Sequence, residues 1–202
     1  MFSLRGGAAS EARDSAMHAQ TAQSGVDASV LSADRHLERW IVGHRVGWLN
    51  WLFEGLSRIG TLGAIWIVLG IALATLWRRP SIGLLVLAAV SAADLSATLL
   101  KILIPRHRPR VHTLVPEPHD HSFPSGHAAT SFAGATLLAA CAPRLRVPLY
   151  ALAVLIAFSR LYVGVHYPLD VLGGAALGLL LATALLRLAA VRRRSRRGSR
   201  AG

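Results

Sequence analysis

Charge is scarce in this chain: Asp, Glu, Lys and Arg make up only 16% of 202 residues, while hydrophobic residues reach 53%. With a mean hydropathy of +0.45, that composition excludes an ordinary water-soluble globule and points to a membrane protein. Cysteine is nearly absent. The one present, Cys141, excludes an internal disulfide and reads as a small apolar packing residue among Ala and Leu. Residues 1–38 lack a continuous apolar core, so no cleavable signal is expected there, and their mixture of Ser, Ala, Gln, Asp and Arg reads as a disordered segment.

What charge there is has one dominant sign, with 22 basic against 10 acidic residues and a formal net charge of +12. Nucleic-acid binding is one meaning of such an excess, but position argues against it. Arg192, Arg193, Arg194, Arg196, Arg197 and Arg200 follow directly on an apolar stretch. Positive residues there hold a helix end on the cytoplasmic side, so 192–202 is read as a basic cytoplasmic tail.

A helix needs about 20 mostly apolar residues to cross a hydrocarbon core of about 30 Å. Five stretches qualify: 61–77, 81–100, 126–142, 147–165 and 168–191. The clusters Arg78-Arg79, Arg144/Arg146 and the Arg tail then fall on one side, cytoplasmic by the positive-inside rule. The loop 101–124, the turn at His166 and the approach to Thr61 fall on the other. Residues 40–56 are amphipathic. Val42, Val46, Leu49, Phe53 and Leu56 recur at helical spacing, and Trp40, Trp48 and Trp51 suit an interfacial belt. The expected fold is therefore all-α, a multi-pass transmembrane helical bundle of five spans with an outer interfacial amphipathic helix. A sixth, poorly hydrophobic span over 40–56 is the alternative. The domain reading is 39–191 as the membrane domain, between the segment 1–38 and the tail.

Three clusters carry the chemistry. Lys101 is the sole lysine, and it stands seven residues before Arg108-Pro109 at the end of the second span. An ammonium and a guanidinium together suit a phosphate, the first as a point charge and the second as a bidentate fork. Snorkelling at the membrane surface is the plainer account of either residue alone. Pro124-Ser125-Gly126-His127 opens the third span. Ser125 fits a helix N-cap, and Gly126 lets a ligand approach free backbone N–H groups at the positive end of a helix dipole. Finally, Ser159-Arg160 and His166 through Asp170 bridge the last two spans. A carboxylate four residues beyond a histidine can hold the imidazole in one tautomer and leave its other nitrogen free to attack. Singly, each of these reads equally well as structure; all three at the outer ends of spans do not.

The pattern K-x6-R-P, P-S-G-H and S-R-x5-H-x3-D resembles the type-2 phosphatidic acid phosphatase, or lipid phosphate phosphatase, superfamily in every fixed position, over about 40–191 in layout. The resemblance implies a lipid phosphatase. His166 is then the nucleophile that forms a phosphohistidine, Asp170 orients it, and His127 protonates the leaving group and afterwards activates water. Lys101, Arg108, Ser125, Gly126 and Arg160 bind the phosphate. No metal or other cofactor is implied, because the cations take the role of Mg²⁺. The partners implied are a membrane lipid substrate and the bilayer, not nucleic acid, in a bacterial cytoplasmic membrane with the site facing outward.

Two other readings compete. A vanadate-dependent haloperoxidase presents a similar constellation, and the five apolar stretches argue against it. A non-catalytic anion transporter gathers polar groups near the midplane, whereas here they collect at one face. His107, His112, His119, Asp120 and His121 crowd the outer loop without firm metal-ligand spacing. Asp94 lies within a span two turns before Lys101, either facing it or bonding a neighbouring helix.

Overall fold

The computed structural model describes the backbone over residues 28–198 and side chains over 28–192; residues 1–27 and 199–202, and the side chains of 193–198, lie outside the described residues. The chain divides into two units, 1–37 and 38–202. In the first, residues 28–37 are helical, within the stretch expected to be disordered. The second unit opens on helical residues 38–43 (α1) and continues through α2 (Gly47–Ile59), α3 (Ala64–Leu76), α4 (Pro80–Leu103), α5 (Gly126–Cys141), α6 (Arg146–Tyr162) and α7 (Pro168–Gly198). Short 3₁₀ turns lead into α3 and α6.

Prolines set the breaks. A residue preceding proline is pushed out of the helical region by the pyrrolidine ring. Arg79, Ile104 and Ala142, each followed by proline, have φ between −126° and −121° and ψ between 74° and 84°. Thus α4 starts on Pro80, where the missing N–H costs nothing, and stops before Pro105; α5 stops before Pro143. Ahead of α3 the chain turns through Leu62 (φ 52°) and Gly63 (φ 68°).

Helix α5 is the hub, packed against α3, α4, α6 and α7, and buried over most of its length. Its composition explains the closeness. Ala128, Ala129, Ala133, Gly134 and Ala135 let neighbouring backbones approach, the way helices associate when surrounding lipid leaves only dispersion and packing to hold them. A Cβ at Gly174 or Gly178 of α7 would meet the backbone of Ser125 or Ala129, and one at Gly134 would lie 2.5 Å from Trp66. Trp66 is fully buried, with its Nε1 donating to Ser131 Oγ at 3.1 Å. The outer faces are apolar in turn: Leu84, Leu95 and Ile102 of α4 are 61–71% exposed. Such faces are stable against lipid and not against water.

Three helices among the described residues are long and apolar enough to cross a membrane: Pro80–Leu103, Pro143–Tyr162 and Pro168–Arg192. Gly47–Ile59 and Thr61–Leu76 pass the same test only as a pair bent by 54°. The stretch 126–142 yields a helix of 16 residues, about 24 Å, because Ser125 caps one end and the residue before Pro143 ends the other. The amphipathic stretch 40–56 is also divided. The chain leaves the helix at His44–Val46, where Arg45 donates through Nε to the Tyr162 carbonyl (2.6 Å) and through Nη1 to that of His112 (2.7 Å), and α2 begins afresh at Gly47. On α2, Trp48 and Trp51 point outward while Phe53, Leu56 and Ser57 are buried.

Candidate active site

Helix ends bring the three motifs together. Lys101 lies in the last turn of α4, His127 in the first turn of α5, Arg160 in the last turn of α6 and Asp170 in the first turn of α7. The basic groups Arg79, Arg144 and Arg146 mark the opposite ends of α4, α5 and α6. A cavity of about 240 Å³ is lined by Lys101, Arg108, Gly126, His127, Arg160 and His166, together with Thr61, Asp94, Thr98 and Asp120. The sequence-expected ammonium, both guanidiniums and both imidazoles therefore share one pocket. Ser125 and Asp170 do not line it; both are fully buried behind it. The Ser125 hydroxyl caps α5 by accepting from the Ala128 N–H (3.4 Å), and the Ser125 N–H donates to the Asp170 carbonyl (2.9 Å), so this residue ties α5 to α7.

Arg108 is held rigidly. Its Nε donates to the Asp120 carbonyl (2.9 Å), Nη1 to the Val165 carbonyl (2.7 Å) and Nη2 to Asp120 Oδ1 (2.6 Å). Arg160 is buried and donates through Nη1 to Ser57 Oγ, while its Nε has no acceptor among the described residues. An unpaired buried guanidinium nitrogen is costly, and an anion entering the cavity relieves that cost.

The two histidines carry opposite assignments of their protons. His166 is 2% exposed, with Nδ1 lying 3.5 Å from Asp170 Oδ2 and Nε2 lying 3.3 Å from Arg108 Nη1. A guanidinium only donates, so Nε2 carries the lone pair and Nδ1 carries the proton that faces Asp170. Burial lowers the His166 pKa to about 4; the neighbouring Asp170 carboxylate opposes this, and the Arg160 and Arg108 charges add to it. Near pH 7 the ring is therefore neutral, the form a nitrogen nucleophile requires. The His127 Nε2 stands 3.0 Å from the Ser57 carbonyl, which only accepts, so Nε2 holds a proton and Nδ1 is the exchangeable position.

Asp170 is itself anchored. Oδ2 accepts from the Tyr167 N–H (2.9 Å) and Oδ1 from Arg106, whose guanidinium also stacks over the Tyr167 ring at 4.4 Å. Arg106, Asp120 and Ser57 are the site residues that sequence reasoning missed. Arg106 falls inside the K-x6-R interval, at a position that the motif leaves open. Asp120 stands in the sequence only as one member of a histidine-rich loop, and Ser57 carries no sequence signal at all.

Residues 82–194 match the PAP2 superfamily. The chain is 34% identical over 141 residues to the undecaprenyl-diphosphatase of Sulfolobus acidocaldarius, covering 67% of this chain and 68% of that protein. It is 33% identical over 168 residues to phosphatidylglycerophosphatase B of Bacillus subtilis, covering 76% and 81% respectively. Its fold is similar to that of the transmembrane PAP2-type phosphatidylglycerolphosphate phosphatase of B. subtilis, with a TM-score of 0.68 over 79% of this chain and 86% of that one. The chain belongs to the PAP2 superfamily. Within it, this is a membrane phosphatase, a hydrolase of phosphoric esters or anhydrides.

Proposed function

We propose that the enzyme removes a phosphate from a membrane lipid carrying a phosphomonoester or diphosphate, such as a polyprenyl diphosphate or phosphatidylglycerophosphate, through a phosphohistidine on His166. The observation that carries this reading is the single cavity shared by Lys101, Arg108, Arg160, His127 and His166. The lone pair on His166 Nε2 attacks phosphorus while the bond from phosphorus to the leaving oxygen breaks. A proton from Nδ1 of protonated His127 goes to that oxygen, and the lipid alcohol or phosphate departs. The then neutral His127 takes a proton from water as the water oxygen attacks the phosphohistidine, freeing orthophosphate and restoring His166. Lys101, Arg108, Arg160 and the Gly126 N–H at the start of α5 stabilise charge on the equatorial oxygens; Ser125 contributes by fixing that helix start.

The membrane reading has α4, α6 and α7 spanning, α5 as a shorter crossing segment sheltered among them, and the bent α2–α3 pair making the fifth, with the tryptophans of α2 at the outer interface. The Arg ends of the helices support a cytoplasmic assignment for that side, and hence an extracytoplasmic site in the cytoplasmic membrane. In this reading 39–191 is the phosphatase domain and 192–202 a cytoplasmic tail.

Purified enzyme in detergent is expected to release orthophosphate from lipid monophosphates or diphosphates at a rate unchanged by EDTA, and to oxidise no halide when supplied with vanadate and peroxide. Loss of activity on chelation, restored by a divalent cation, would reject the metal-free cradle. Halide oxidation without phosphate release would reject the phosphatase reading.

A further inference from the structure

The cradle is already filled by an anion belonging to the chain. Asp120 lies in the loop between α4 and α5, and its Oδ2 accepts from Lys101 Nζ at 2.5 Å while Oδ1 accepts from Arg108 Nη2 at 2.6 Å. The two cations are largely buried, at 13% and 4% exposure, whereas the carboxylate is 50% exposed. Burial alone would raise the Asp120 pKa, but the hydrogen bonds from Lys101 and Arg108 outweigh it and hold the value at about 2, so the group is ionised near neutral pH. Asp94, the other carboxylate on the cavity wall, lies on the Gly126 side, its Oδ1 3.8 Å from the position of a Cβ there.

We propose that Asp120 is a specificity-determining residue: a built-in competitor that a substrate phosphate must displace from Lys101 and Arg108, and that selects doubly charged phosphate groups over singly charged ones. The proposal rests on the phosphatase reading above and deepens it. Exchanging a carboxylate for a phosphodiester swaps one negative charge for one, with no electrostatic gain. A phosphomonoester or terminal diphosphate brings about −1.5 to −2 at neutral pH and gains from the cations what the carboxylate does not. A membrane surface is crowded with phosphodiester headgroups, so an enzyme open to any phosphate would sit blocked by them. Arg108 keeps its place when the carboxylate leaves, because its Nε and Nη1 bonds run to the carbonyls of Asp120 and Val165. Displacement therefore empties the cradle without dismantling it.

The test compares two inhibitors, orthophosphate and dimethyl phosphate, against full-length enzyme, with binding of each also followed by calorimetry. Unaltered enzyme is expected to bind orthophosphate far better than the diester. In Asp120→Asn the diester is expected to bind about tenfold to a hundredfold more tightly, the preference to narrow, and KM for a monoester to fall. Asp120→Glu, which keeps the charge, is expected to keep the preference, and it guards against a mere folding defect in the first variant. An unchanged preference in Asp120→Asn, or weaker binding of both anions, would overturn the proposal and leave Asp120 a scaffold for Lys101 and Arg108. Because calorimetry needs no turnover, that result stays distinct from failure of the phosphatase reading, which would show as no phosphate release by unaltered enzyme.

Discussion

His166→Ala is expected to lower phosphate release by a factor on the order of 10⁵ or more, down to the rate of the uncatalysed reaction aided only by the cation cradle. The size of the effect follows from the geometry. His166 Nε2 carries an imidazole lone pair on the cavity wall, standing 3.3 Å from the Arg108 guanidinium, at Nη1. His127, whose Nε2 donates to the Ser57 carbonyl, is assigned proton transfer through Nδ1 and not attack. Binding of orthophosphate should survive, since Lys101, Arg108 and Arg160 remain. A variant that retains its thermal midpoint and still turns over at more than a few per cent of the normal rate would reject His166 as nucleophile.

Asp170→Asn should cost about 10²- to 10⁴-fold in kcat with little change in KM. The carboxylate is fully buried and faces only donors: the Tyr167 N–H, the Arg106 guanidinium and the His166 Nδ1 side. An amide in its place presents either an N–H toward His166 Nδ1, which favours the tautomer with a proton on Nε2 and no lone pair for attack, or an N–H toward Arg106, which repels it. In both arrangements the transition state loses a carboxylate that stabilises the developing imidazolium. A parallel rise in KM with kcat preserved would mean that Asp170 shapes the cavity and does not orient the nucleophile. Arg106→Ala, removing the anchor behind Asp170, should reproduce a milder form of the same kcat loss.

The all-helical fold and the residues that share the cavity were both legible in the sequence. Lys101, Arg108, His127, Arg160 and His166 announce themselves because charges and imidazoles are rare in an apolar chain, and alternation of Arg clusters along it puts all of them at one set of helix ends. What escaped is what side chains do to one another. Nothing in the sequence tells that Asp120 returns across 19 residues to Lys101, or that Ser57, on a helix 103 residues from Arg160, supplies its hydroxyl. The expected spans lie close to the helices observed, 126–142 against Gly126–Cys141 and 81–100 within Pro80–Leu103, but where a helix ends or breaks is set by local contacts. Hydropathy counts apolar residues and does not see that the residue before Pro143 ends α5, nor that Arg45 pulls the chain out of a continuous helix at 44–46 by seeking the Tyr162 and His112 carbonyls.

Covalent capture of the phosphate tests the central claim most directly. With p-nitrophenyl phosphate the leaving group departs without a proton, so His127→Ala should still form the phosphohistidine but fail to hydrolyse it. The expected result is a burst of about one nitrophenolate per enzyme followed by a slow phase, with phosphate found on His166 after an alkaline quench that preserves phosphohistidine. Steady turnover without a burst in that variant, or phosphate carried by any residue other than His166, would contradict the account.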